Sequence, residues 1–185
     1  VLARYADPSG GFFDTADDAT DARLATIRRP QDPTDNATPS GWSAAAGALL
    51  TYSAYTGSAQ HRDAAERALA VYDVLGGQVP RFAGWGLSVA EALVAGPVEV
   101  AVVGPAGDPR TGALVRAAMQ AGSPGAAVIA GDPAGPSATS VPLLRDRPLV
   151  DGAPAAYVCR QFVCAAPTTN PSELAATLTP ALQRS

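Results

Sequence analysis

The sequence changes character at Gly96-Pro97, and this break limits the folds that the chain can adopt. Before it, apolar residues recur at helical spacing between polar loops; after it, short β-rich runs alternate with helical segments. A glycine followed by proline ends a helix, because glycine adopts the left-handed cap and proline cannot continue the helix. We therefore predict two domains, a helical domain over 1–96 and a small α/β unit over 97–185.

The first domain is predicted to contain three helices, over 43–56, 59–75 and 87–95. In the second helix, Ala65, Ala68, Leu69, Tyr72 and Leu75 fall on one face at helical spacing. Gly76-Gly77 is the expected stop of that helix. Short loops between successive helices favour antiparallel helical hairpins.

The second domain follows a strand–helix–strand order, which is typical of parallel pairing through a right-handed crossover. We predict a short, mostly parallel sheet. Its predicted strands are 97–104, 126–131 and 155–160, and its predicted helices are 107–122 and 172–183.

Composition excludes several functions. The net charge is −4 and there is no basic stripe, so we expect no nucleic-acid partner. All 13 basic residues are arginine, a bias that suggests a GC-rich bacterial genome and excludes a P-loop or Schiff-base lysine in this chain. No apolar run approaches a membrane span, so we expect no membrane partner and a cytoplasmic location. His61 is the one histidine, on a predicted surface helix, so we expect no metal site and no cofactor.

The most acidic stretch is GGFFDTADD at 10–18. Its carboxylates Asp14, Asp17 and Asp18 are candidate catalytic residues, since carboxylates can act as general acid, general base or metal ligand. The spacing matches no EF-hand loop. A solvated acidic loop with helix-capping aspartates is the alternative interpretation.

Cys159 and Cys164 form a C-x4-C pair, which is open to three interpretations: a redox couple, half of a metal site, or two buried thiols. On a continuous strand the two side chains would point to opposite faces, about 16 Å apart. A disulfide needs Cα atoms within roughly 7 Å. The pair can therefore form a disulfide only if the residues between the two cysteines make a turn.

Three segments resemble, in order, the C-terminal half of the thioredoxin-domain proteins related to spermatogenesis-associated protein 20. These are GGFFDTADD at 10–18, RPQDPTDNATPSGWSAAAGALL at 29–50 and PAAYVCRQFVCAAPTTNP at 154–171. The resemblance implies that 1–96 contains helical hairpins of an incomplete (α/α)6 toroid, of the six-hairpin glycosidase and epimerase type. It also implies a piece of a longer protein, as does the start at Val1.

In such toroids, the loops at one end of the barrel form the substrate-binding and active site. The resemblance therefore implies that Asp14, Asp17 and Asp18 share a polar cavity with candidate substrate-binding residues Asp35, Asn36, Ser40 and Trp42. The family's thioredoxin-like cysteines are absent from this chain, and its epimerase histidines have no counterpart here beyond His61.

Three functional hypotheses follow. The first is a carbohydrate-binding or carbohydrate-active protein, using carboxylate acid–base chemistry and inactive as an isolated piece. The second is a redox-linked protein, in which Cys159 and Cys164 exchange with the parent protein's thioredoxin-like domain. The third is a segment with a purely structural or assembly role. Hairpins cut from a toroid would expose apolar faces, so the expected partners are the rest of the toroid or a second copy, with a sugar as possible ligand.

Overall fold

The computed structural model of the chain describes residues 1–21, 23–121 and 125–179. It divides into two compact units, one formed by Val1–Ser53 and Ala59–Val94, the other by Ala54–Ser58 and Ala95–Ser185. Among the described residues, no helix combines the length and the apolar character needed to cross a bilayer.

The first unit is helical and packs around a core of its own. Its helices are α1 (Leu2–Tyr5), α2 (Gly41–Thr56, whose last turn belongs to the second unit), α3 (Ala59–Leu69), α4 (Val71–Gln78) and α5 (Gly84–Ala95), with 3-10 turns at Leu24–Thr26 and Pro80–Phe82. Gly76 and Gly77 are expected to end the helix, but α4 continues through both glycines to Gln78.

The predicted toroid hairpins are not found among residues 1–21 and 23–96, the part of this region that the structure describes. Toroid hairpins bury their apolar faces against neighbouring hairpins, whereas here the apolar residues of α2, α3, α4 and α5 meet in one cluster within the unit. Phe12, from the irregular N-terminal segment, joins the same cluster. The chain is a mixed α/β protein, and the toroid fold class is wrong for it.

The second unit contains a four-stranded sheet in the order β2-β1-β3-β4. Its elements are β1 (Glu99–Val103), α6 (Pro109–Gln120), β2 (Ala127–Gly131), α7 (Ser137–Ser140), β3 (Ala155–Arg160), β4 (Val163–Cys164) and α8 (Pro171–Leu178), with a 3-10 turn at Pro142–Leu144. The helix predicted over 172–183 begins within α8, and its residues 180–183 lie outside the described residues.

The prediction of a mostly parallel sheet is also wrong. β1 and β2 are parallel, as the crossover through α6 requires, but β3 is antiparallel to β1 and β4 is antiparallel to β3. The connection from β2 returns the chain to the end of β1, where Ala155 pairs with Val103, so β3 runs in the opposite direction. A two-residue turn then makes β4 antiparallel to β3, because such a turn can only join antiparallel strands.

The two faces of this sheet are covered by different residues. Alternate residues of a strand point to opposite faces. Val100 and Val102 pack on one face with residues of α6 and α8. Ala101, Val103, Tyr157 and Cys159 pack on the other face with the 3-10 turn at Pro142–Leu144 and with Tyr55.

Candidate functional site

Cys159 and Cys164 lie directly opposite each other on β3 and β4 and form a disulfide. Their Cα atoms are 3.9 Å apart. The turn that the sequence required for bonding is present, since Arg160 pairs with Val163 and only Gln161 and Phe162 connect the two strands. We call residues 159–164 the cysteine hairpin.

The two cysteines of the hairpin differ in burial. Cys159 is 1% exposed on a strand that has neighbours on both sides. Cys164 is half-buried on the edge strand β4, next to Val163, which is 78% exposed. Cys164 is therefore the more exposed of the two cysteine residues. With both sulfurs bonded to each other, neither is a thiolate ligand, and the half-metal-site interpretation has no support in this structure.

The turn of the hairpin is conformationally demanding. Gln161 and Phe162 have φ of 50° and 65°, in the left-handed region. Two-residue hairpin turns of this kind favour Asn-Gly, because a residue with a larger side chain loses about 1–2 kcal/mol in that conformation. Neither turn residue here is glycine, so interactions elsewhere must hold the turn.

Two contacts hold the turn. The Phe162 N–H donates a hydrogen bond to Oε2 of Glu99 over 2.8 Å. The Phe162 ring lies against Gly57, so close that a Cβ on that glycine would be 3.3 Å from the ring. Gly57 has a φ of +72°, which also favours glycine there.

Sequence reasoning missed Glu99. It is the first residue of β1, is 2% exposed, and pairs in register with Cys159. Opposite residues on neighbouring strands point to the same face, with Cβ atoms about 4.5–5.5 Å apart. The sequence does contain a sign of its role, since Glu99 is a single acidic residue in the apolar run PVEVAVVG. A charged residue is rarely buried unless a partner stabilises it, so an acidic residue in such a run indicates a specific partner.

The acidic candidates are exposed and lie in the N-terminal segment of the first unit. Asp14, Asp17 and Asp18 are all exposed, and Asp17 forms a 3.4 Å ion pair with Arg4. A shallow depression of about 390 Å³ lies beside them. Of the predicted cavity residues described by the structure, Asp17 is the only one in its lining, which is otherwise mainly apolar with Arg28 and Arg29.

Asp35 is a helix-capping carboxylate, 5% exposed. It accepts hydrogen bonds from the Ser40 N–H and the Ser43 hydroxyl at the start of α2, and from the N–H groups of Trp85 and Gly86 at the start of α5. Burial alone would raise the pKa of Asp35, but these hydrogen bonds outweigh burial and lower the pKa below its usual range. The carboxylate is therefore occupied in joining two helix N-termini.

The remaining predicted substrate-binding residues also have local structural roles. Ser40 caps α2, its hydroxyl accepting the Ser43 N–H over 3.0 Å. The Trp42 indole donates to the Ala68 carbonyl over 2.7 Å and packs edge-on to Phe12. Asn36 is exposed. The contacts described for Ser40 and Trp42 are structural, and the shared sugar-binding cavity with Asp14, Asp17 and Asp18 stays a prediction.

The glycine-rich turn between β1 and α6 does not present a free anion site. Asp108 caps α6 by accepting the Arg110 N–H, and its carboxylate forms a 2.8 Å ion pair with the Arg110 guanidinium. Pro109 occupies the first turn and lacks an N–H. A carboxylate thus already occupies the position that a phosphate would take.

Comparisons of this chain with family models, with curated proteins and with solved structures find no match.

Proposed function

We propose that this chain takes part in thiol–disulfide exchange, with Cys159 and Cys164 cycling between a disulfide and a dithiol. The observation that carries the proposal is the cysteine hairpin itself: two cysteines bonded across an edge hairpin, one residue buried and the other half-buried. A redox couple needs its two thiols held together and one sulfur within reach of a partner. The disulfide holds the two sulfurs together, and the half-buried position of Cys164 on the edge strand supports the second condition.

The size of the closed loop favours a reversible bond over a structural staple. The cysteines are five residues apart. In the chain-entropy model such a short loop yields only about 2 kcal/mol of stabilisation, against about 4.7 kcal/mol for a loop of a hundred residues. The bond also joins residues that the sheet already pairs. The sequence predicts a cytoplasmic chain, and disulfides in that compartment are usually transient, catalytic or redox-sensing.

The exchange proceeds through a mixed disulfide. A thiolate of a partner dithiol attacks Sγ of Cys164, a new bond forms between the two sulfurs, and the Cys159–Cys164 bond breaks. Cys159 leaves with the electron pair and takes a proton. The second partner thiolate then attacks the partner's sulfur in the mixed disulfide and releases Cys164, which is protonated in turn. The partner loses two electrons and becomes a disulfide, and this chain gains two thiols.

The proposed partner is a protein dithiol of the kind that thioredoxin-like domains carry. The resemblance described above implies such a domain in the parent protein. A small-molecule dithiol can replace it in the test, because the exchange chemistry depends on the thiols themselves.

The test is the reduction of the folded protein by dithiothreitol, with thiols trapped by a maleimide and counted by intact mass. A matched sample unfolded in denaturant gives the full count of two thiols, one from each cysteine. The proposal predicts that the folded protein also acquires two labels while its circular dichroism is unchanged. Labels that appear only in denaturant would make the disulfide a structural one and overturn the proposal.

A further inference from the structure

We infer that Glu99 is the positioning residue of the cysteine hairpin: its buried carboxylate holds the Gln161–Phe162 turn and keeps Cys159 and Cys164 apposed after their bond opens. This inference rests on the proposed redox function, for which it supplies the residue that sets how readily the disulfide is reduced.

The first support is the position of Glu99 in the sheet. It begins β1, the strand that pairs with β3, and its register partner is Cys159. Glu99 therefore shares a sheet face with the buried sulfur. A carboxylate that is 2% exposed is costly to desolvate, and natural chains keep such groups where they form specific hydrogen bonds.

The second support is the hydrogen bond to the turn. The acceptor is Oε2 of Glu99 and the donor is the N–H of Phe162, 2.8 Å away. Phe162 is one of the two left-handed residues of the turn. If the turn relaxed, this N–H and the buried side-chain oxygen would both lose a hydrogen-bond partner, which costs free energy in a buried setting. The interaction therefore opposes relaxation of the turn toward the extended conformation that Gln and Phe prefer.

The third support is that this hydrogen bond does not involve the disulfide. Opening the Cys159–Cys164 bond removes one of the constraints on the turn but leaves the contact between Glu99 and Phe162. The two thiols then stay opposite each other, at a high effective concentration. A high effective concentration of thiols makes a disulfide harder to reduce and quicker to re-form.

The test measures the equilibrium between the chain and defined ratios of reduced to oxidised dithiothreitol. Glu99→Ala removes the acceptor and should shift the equilibrium constant about tenfold toward the dithiol, which corresponds to about 30 mV. Glu99→Gln retains a side-chain oxygen that can accept the Phe162 N–H, so its shift should stay within about threefold of the unmodified chain.

The matched control is Val103→Ala. Val103 lies on the same strand and the same face as Glu99 and is 1% exposed, but its register partner is Ala155, at the far end of β3 from the hairpin. This variant makes a cavity in the unit without touching the turn. Its equilibrium constant should remain within about twofold of the unmodified chain, since a general loss of stability affects both redox forms alike.

A second measurement does not depend on whether a Glu99 variant folds. In a Cys159→Ser/Cys164→Ser chain, the Phe162 amide should exchange its hydrogen at least about tenfold more slowly than an unstructured amide, because Glu99 still accepts it. Exchange at the unstructured rate would overturn the inference. The inference would also be overturned if Glu99→Ala and Val103→Ala gave the same equilibrium constant. If the proposed redox function is wrong, a different result is expected: the disulfide of the unmodified folded chain resists reduction by dithiothreitol. That result is distinguishable from the two outcomes that would overturn the role of Glu99.

Discussion

Glu99 and Cys159 are register partners on β1 and β3, both nearly inaccessible to solvent, at the strand end from which the cysteine hairpin turns back. Through the Phe162 N–H, the carboxylate contacts the turn that places Cys164 opposite Cys159. A short chain of interactions therefore links the inner strand of the sheet to Cys164, the more exposed of the two cysteines. This link supports the positioning role inferred for Glu99, whereas the redox proposal rests on the cysteine hairpin itself.

The stabilisation that the disulfide gives the folded chain should lie at the low end of the range typical of disulfides. Denaturant unfolding of the oxidised and the reduced protein should give free energies of unfolding that differ by about 2 kcal/mol, because the closed loop is short. The comparison is made by circular dichroism in urea with and without a phosphine reductant. A difference above about 4 kcal/mol would identify a structural staple.

Asp35→Ala should destabilise the first unit by about 3 kcal/mol, because it leaves donors at the starts of two helices without an acceptor. The matched control is Asp32→Ala. Asp32 is exposed and, within the described part of the chain, accepts hydrogen bonds from Thr34 alone, so its loss should change stability by less than about 1 kcal/mol. Thermal unfolding of the two variants gives the comparison. Equal effects would mean that Asp35 does not join the helices as described.

The Asp35 carboxyl should also make stability depend on acid pH. A carboxyl whose pKa is lowered by folding stabilises the fold above its unfolded pKa of about 3.9, and the contribution is lost as pH falls through the lower, folded value. Asp35→Asn should therefore be less stable than the unmodified chain at neutral pH, with a gap that narrows below about pH 4. The lowered pKa values of Asp7, Asp21 and Asp108 leave a residual pH dependence in both chains. A gap that stays constant with pH would contradict a lowered pKa for Asp35.

Gly86→Ala should cost about 3 kcal/mol by overpacking. A Cβ on Gly86 would lie 2.0 Å from the Tyr72 ring, which is buried and fixed by a 2.7 Å hydrogen bond from its hydroxyl to the Pro33 carbonyl. Gly84, at the start of the same helix, has open space around its Cβ position, so Gly84→Ala should change stability by at most about 1 kcal/mol. Similar melting temperatures for the two variants would contradict the close approach of α5 to Tyr72.

Local patterns in the sequence predict much of the secondary structure. The strand predicted over 155–160 is β3, and the helix predicted over 43–56 corresponds to α2, which begins two residues earlier. Apolar periodicity and glycine or proline stops are local properties, so they identify such elements. Strand direction is not local, because the same apolar run fits a parallel or an antiparallel neighbour. The connection over 132–154 sets the direction of β3.

The site illustrates the same limit. The family resemblance implies a cavity position for Asp35, whereas in the structure it accepts hydrogen bonds from Trp85 and Gly86, which lie about fifty residues away in the sequence. The condition for a disulfide, a turn between the cysteines, follows from strand geometry alone. In the turn formed by Gln161 and Phe162, the Phe162 N–H donates a hydrogen bond to Glu99, some sixty residues earlier in the chain. Sequence spacing cannot reveal such a partner.

The most direct test of the redox account is the reduction potential of the Cys159–Cys164 couple in the folded chain. It is measured by equilibration with dithiothreitol buffers, followed by alkylation and intact mass. Structural disulfides typically lie below about −300 mV, whereas exchange-active protein couples lie between roughly −280 and −120 mV. The account predicts a value between about −280 and −200 mV. A value below about −300 mV would contradict it.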